Sequence, residues 1–257
     1  MTALIECEGL TAGYDDLPVV RNLDLRVDSG EVVALLGSNG AGKTTTLSTI
    51  SGLLRPISGA VRVLGEAVST ARPHSTARRG LAYVPDNRAL FFSLTTAENL
   101  ALAIRGRRRN RGDGNAELAL EFFPALEPLL SRRAGLLSGG EQQMLAIARA
   151  VVQRPKVLMI DEMSLGLAPV IVQRLLPTIR RIADELKAGV LLVEQHVDLA
   201  LAFADRAYVL SHGDMILQGT GAELATQRDI LRASYMGETI YAHAPDGQSA
   251  APGADAG

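Results

Sequence analysis

The chain of 257 residues is short of several things, and each shortage removes a class of protein. A single cysteine, Cys7, excludes an internal disulfide. Although 47% of the residues are hydrophobic, no apolar run approaches the length that spans a bilayer. The formal net charge is only −2, which gives no electrostatic reason to expect a nucleic-acid partner. The opening MTALIECEGL lacks the basic, apolar and small-residue regions of a secretory signal, so the expected compartment is the cytoplasm. What the length does allow is a full α/β core with room for a subdomain.

The most informative stretch that is present is Gly37 to Thr45, GSNGAGKTT. It follows Val32–Leu36, which reads as a buried strand, and runs into Thr46–Ile50, which reads as the start of a helix. In that context Gly37, Gly40 and Gly42, with Ser38, Asn39 and Ala41 between them, let the backbone wrap around a polyphosphate. Successive N–H groups and the positive end of a helix then point at it. Lys43 reaches the terminal phosphates, the Thr44 hydroxyl takes a place on Mg²⁺, and Thr45 closes the loop.

Around this loop the pattern changes along the chain. Ile5 and Cys7, then Leu23, Leu25 and Val27, alternate with polar residues as antiparallel strands do. Between them Thr11–Asp16 reads as a turn whose Tyr14 is either a plain loop tyrosine or a flat face for an adenine ring. Ser58-Gly59 reads as a turn before another strand, residues 64–80 as a polar segment, and Leu81–Val84 as a short buried strand that ends at Pro85-Asp86-Asn87-Arg88. Residues 96–126 have a helical pattern, interrupted over 105–112 by five arginines that read as a solvated loop. From Ala242 onward no large aliphatic residue remains, and disorder is expected.

Three further stretches carry chemistry. In Leu137–Gln143, Ser138 and Glu141 have capping-box spacing, so a helix starts there. Gly139 and Gly140 weaken such a helix unless something must approach its backbone, which makes a second helix end suited to a phosphate. Val157–Ile160 reads as a buried strand delivering Asp161 and Glu162 at its carboxyl end. Alternation would send the two acids to different sides, Asp161 toward Mg²⁺ and Glu162 toward the γ-phosphate and the attacking water. Val190–Val193 reads as another buried strand, ending at Glu194-Gln195-His196, where His196 is either a satisfied polar residue or a contact to the γ-phosphate.

In their order, GSNGAGKT, LSGGEQQ, VLMIDE and His196 resemble the ATP-binding cassette (ABC) ATPases over essentially everything before the tail. The resemblance implies an α/β fold: a P-loop NTPase (RecA-like) core sheet with an antiparallel β subdomain and an inserted α-helical subdomain. One nucleotide-binding domain over residues 1–240 is expected, its helical subdomain at about 87–150, with a disordered tail over 241–257. It further implies a head-to-tail dimer in which ATP on Gly37 to Thr45 of one subunit is covered by Ser138, Gly139, Gly140 and Glu141 of the other. Lys43, Glu162 and His196 become the catalytic set, Glu162 as base and His196 as switch histidine. Tyr14 stacks on adenine, while Thr44, Asp161 and Asp86 are placed at Mg²⁺. Asp86 also holds the position that couples nucleotide state to membrane subunits.

PDNRALF, SLGLAPVIVQ, LLVEQH and ASYMGE are similar to one ATPase subunit of the branched-chain amino acid importers. Met163 stands where that subfamily has proline, which implies a looser turn at Glu162, and Asp86 is one methylene shorter than the usual glutamate. The implied partners are transmembrane permease subunits, a second ABC ATPase subunit as heterodimer or homodimer, and, indirectly, a solute-binding protein. The implied location is peripheral, on the cytoplasmic face of the membrane. The alternatives are a urea, amide or lipid-exporting system, a non-transport cassette ATPase, or a nucleotide-binding regulator that does not hydrolyse.

Overall fold

A computed structural model describes residues 3–105 and 116–227. The rest of the arginine-rich run, residues 228–240 and the tail lie outside the described residues.

The chain opens with β1 (Ala3–Tyr14) and β2 (Leu17–Asp28), an antiparallel hairpin, and continues into β3 (Val32–Gly37) and α1 (Lys43–Ile50). There follow β4 (Pro56–Val63), β5 (Glu66–Ala67), α2 (Pro73–Arg79), β6 (Leu81–Val84), α3 (Thr96–Arg105), α4 (Ala116–Phe122) and α5 (Gly139–Val151). The remainder is β7 (Val157–Asp161), α6 (Pro169–Leu186), β8 (Gly189–Glu194), α7 (Val197–Leu201), β9 (Arg206–Ser211), β10 (Asp214–Thr220) and α8 (Gly221–Ala225).

These strands make two sheets. One is antiparallel, in the order β2-β1-β4-β5. The other runs β10-β9-β3-β8-β7-β6, parallel from β9 to β6, with β10 antiparallel at its edge. Because β3, β7 and β8 are buried along their whole length, they read as continuous apolar runs, the pattern of a sheet covered on both faces.

Strand alternation divides the core. Val33, Leu35, Val157, Met159, Leu191 and Val193 pack toward the antiparallel sheet, together with Cys7, Leu25 and Val63. Val32, Leu158, Ile160, Val190 and Leu192 pack instead against α3 to α6. Burial pushes the Cys7 thiol up to about 12, so it behaves as a small apolar side chain.

Three expectations are corrected. β1 continues through Thr11–Tyr14, and the turn is only Asp15-Asp16, both with positive φ (49° and 61°), as a two-residue hairpin turn requires. Ser58 and Gly59 lie inside β4 at a register shift rather than in a turn. The polar stretch before Gly80 contains α2, which buries only Thr76 and so shows no apolar period.

Candidate functional site

The phosphate loop leaves β3 at Gly37 and enters α1 at Lys43, three residues earlier than the sequence pattern suggested. The cause is Gly42, which stands before the helix with φ 102° and turns the chain sharply. A Cβ at Gly42 would lie 2.5 Å from Val20 Cγ2, so glycine is needed for space as well. Thr46 N then closes the first helical bond onto Gly42 O at 2.9 Å, leaving the preceding N–H groups at the helix end without intrahelical partners. These are the donors that a polyphosphate takes.

Lys43 is 4% exposed, and its Nζ donates to Gly37 O and Ser38 O, both at 2.9 Å. Burial lowers its pKa, while Glu162 and Asp161 act the other way. Glu162 Oε1 lies 3.7 Å from the same Nζ. Thr44 Oγ1 donates to Asp161 Oδ2 at 3.0 Å, which joins the hydroxyl and the carboxylate expected at Mg²⁺. Tyr83, at the end of β6, donates to the same oxygen at 3.3 Å.

Asp161 is 1% exposed, and its Oδ1 is buried without a hydrogen-bond partner among the described residues. Burial raises its pKa, the Thr44 hydrogen bond opposes that rise, and the nearby Glu162 and Asp86 add to it. An orphaned carboxylate oxygen beside a threonine hydroxyl fits Mg²⁺, which takes few protein ligands and fills its sphere with phosphate and water. Among the described residues no cluster of three or more His, Cys, Asp or Glu offers an all-protein metal cage.

Glu162 reaches its place by a different route from strand alternation. β7 ends at Asp161, and Glu162 turns out of it with φ 45°, its N–H held by Val193 O of β8 at 3.0 Å. A glutamate in the left-handed region is uncommon and costs conformational energy. Met163 behind it is buried in the core and closes the position where proline was expected. The turn is fastened by Glu194, whose carboxylate accepts from Ser164 N at 3.1 Å and Ser164 Oγ at 2.5 Å. Burial raises the pKa of Glu194, and the two Ser164 bonds act against that.

Other expected residues are distributed unevenly. Tyr14 is 54% exposed at the end of β1, an open aromatic face. Asp86 is exposed, and its carboxylate accepts from Asn87 N at 2.7 Å rather than touching Thr44 or Asp161, although its charge bears on Asp161. His196 is exposed at the start of α7. Its neighbour Gln195, which the sequence reading left without a role, is the side chain that reaches Glu162 and Asn39.

The second helix end forms as expected. Ser138 Oγ accepts from Glu141 N at 3.3 Å, and Glu141 Oε2 accepts from Ser138 N at 2.6 Å. Its glycines have a reason inside the chain: a Cβ at Gly140 would meet Ile171 Cγ2 at 2.8 Å, and one at Gly139 would meet Leu167 Cδ2 at 3.3 Å. Among the described residues no hydrogen bond or ion pair joins Ser138, Gly139, Gly140 or Glu141 to the loop from Gly37 to Thr45.

Arg88 was likewise passed over. At φ 64° it donates to Gln143 and Gln142 side chains, both at 2.9 Å, and to Leu165 O at 3.4 Å. It thereby ties the loop of Asp86 to α5 and to the turn after Glu162. Pairings of this kind join segments more than fifty residues apart, and no local pattern signals them.

Between α2, β6, α3 and α5 runs a groove of about 1170 Å³. Its walls include Leu53, Phe91 and Leu102, all exposed, with Arg149 stacked 5.2 Å over the Phe91 ring. Buried Asn99 holds Phe91 in place, accepting from its N–H and donating to its carbonyl, each at 3.0 Å.

Comparison with known proteins agrees with this architecture. The ABC transporter family profile matches residues 20–164. BraG of Pseudomonas aeruginosa, a high-affinity branched-chain amino acid transport ATP-binding protein, is 39% identical over 236 residues, covering 91% of this chain and 100% of BraG. LptB of Escherichia coli K12, a lipopolysaccharide export system ATP-binding protein, is 35% identical over 243 residues, covering 92% and 98%. The solved structure of cbiO1 from Clostridium perfringens shares the fold with a TM-score of 0.80 at 24% identity, over 92% of this chain and 96% of its own.

Proposed function

This chain belongs to the ABC transporter family as an ATP-hydrolysing subunit, and from that premise we propose that it powers an importer of branched-chain amino acids or a similar small solute. The observation that carries the cargo class is the match to BraG along BraG's entire length, at higher identity than the match to LptB.

In this reading the N–H groups of the phosphate loop and Lys43 bind ATP, with Tyr14 against the adenine. Thr44 and Asp161 hold Mg²⁺, which when bound neutralises charge on the β- and γ-phosphates. Glu162 orients the attacking water and accepts its proton. The capped end of α5, from Ser138 to Glu141, makes no hydrogen bond or ion pair with the phosphate loop among the described residues and serves the nucleotide of a second cassette subunit.

The apolar groove takes a helix of a membrane subunit. Its Phe91 lies on the loop that follows Asp86, so docking and nucleotide state share one segment. Among the described residues no helix is long and apolar enough to cross a membrane, and the proposed seat is peripheral, on the cytoplasmic face.

The test is purification from gently solubilised native membranes, followed by uptake of labelled leucine into proteoliposomes. Multi-span permease subunits, a second cassette ATPase and ATP-dependent uptake are expected. Lys43→Ala abolishes ATP binding or turnover, and Glu162→Gln binds ATP without turnover. Co-purifying lipid-export proteins with no leucine uptake would replace the cargo. Wild-type hydrolysis in Glu162→Gln would remove the base.

A further inference from the structure

Two adjacent residues at the end of β8 meet different surroundings. Gln195 Nε2 donates to Glu162 Oε1 at 2.8 Å and to Asn39 Oδ1 at 2.7 Å, which uses both of its hydrogens. His196 is exposed; its carbonyl accepts from Ala200 N at 3.1 Å as α7 begins. We infer that Gln195 is the positioning residue that sets the Glu162 carboxylate and ties it to the phosphate loop.

The geometry specifies what is being set. Glu162 Oε1 receives the Gln195 amide and lies 3.7 Å from Lys43 Nζ, whereas no hydrogen bond among the described residues goes to Oε2. With one oxygen clamped, the other is left to take the proton of water. The clamp is needed because the backbone of Glu162 is in the left-handed region, on a turn outside the regular strand.

Consecutive residues of one strand end fasten that turn at two points. Glu194 holds Ser164 through its N–H and hydroxyl, and Gln195 holds the Glu162 side chain. Through Asn39 the same amide is bonded to the phosphate loop, so a shift of that loop is felt at the base.

This inference rests on Glu162 being the base, and the test separates the two. ATP binding, kcat and KM are measured for the wild-type protein in its purified transporter complex and for Gln195→Ala, Gln195→Glu, Gln195→Asn and Glu162→Gln. Gln195→Ala is expected to lower kcat by about 10- to 100-fold, as misplacement of a reacting group does, with ATP affinity within about twofold of wild type. Gln195→Glu keeps the shape, removes the donor and sets a second carboxylate against Glu162, and it falls at least as far. Gln195→Asn, which keeps the amide, recovers part of the loss. Unchanged kcat in Gln195→Ala overturns the assignment while leaving Glu162 as base. Continued hydrolysis in Glu162→Gln instead overturns the reading beneath it.

Discussion

Single side chains in this site are held at a cost to stability, and Asp161 is the clearest case. Its folded pKa is raised, so the folded protein binds a proton there more readily than the unfolded chain does. Stability from this group is therefore complete below the ordinary carboxylate range and is lost as pH rises through the raised value. Asp161→Asn is expected to flatten the fall of Tm as pH rises above the ordinary carboxylate range and to abolish Mg²⁺-dependent hydrolysis. Because it removes a buried charge, it is also expected to raise Tm near neutrality. A fall in Tm would show that the charge is not the costly feature. At this scale the sequence displayed residue types and hid their partners. Lys43, Thr44 and Asp161 could be named because a phosphate loop and a strand-end acid are local patterns. Gln195 and Tyr83 could not, since their roles exist only once β8 and β6 flank β7.

Among the elements, α5 is the one whose start was fully legible, because a capping box is written in four consecutive residues. Its cap and its proposed phosphate contact can be separated by substitution. Ser138→Ala removes the acceptor for Glu141 N and is expected to destabilise by about 1 kcal/mol. Ser138→Asp retains a good cap and so holds Tm, but it sets a negative charge where the partner's nucleotide would lie, and hydrolysis falls by about tenfold or more. Equal loss of Tm and hydrolysis in both variants would reduce the serine to a cap. α2 was illegible because it buries one residue, whereas α6 carries Val172, Leu175, Leu176, Ile179 and Ile182 on one stripe and can be found from its period alone. The β1 boundary was misjudged because Ala12 pairs with both β2 and β4 and Thr11 pairs with β4, contacts outside the local sequence.

For the whole molecule, the proposed coupling rests on one loop that faces two ways. Asp86 bears on Asp161 through its charge, Arg88 reaches α5, and Phe91 lines the groove. Asp86→Ala is expected to retain a substantial part of the ATPase activity while losing transport, and Phe91→Asp to weaken association with the membrane subunits without lowering ATP affinity. Undiminished transport in Asp86→Ala would take the coupling role away. The parallel sheet also stands as a wall between the apolar interior shared with the antiparallel sheet and the one packed against α3 to α6, with a smaller third cluster under α7 and α8. Each side can open while the other stays closed, so hydrogen exchange should be slowest in β3, β7 and β8, which belong to both. The phosphate loop, Glu162 and Gln195 all hang from the ends of those three strands. The surfaces proposed to meet other subunits ride on the layers expected to breathe first, and the proposed chemistry is anchored to the part that breathes last.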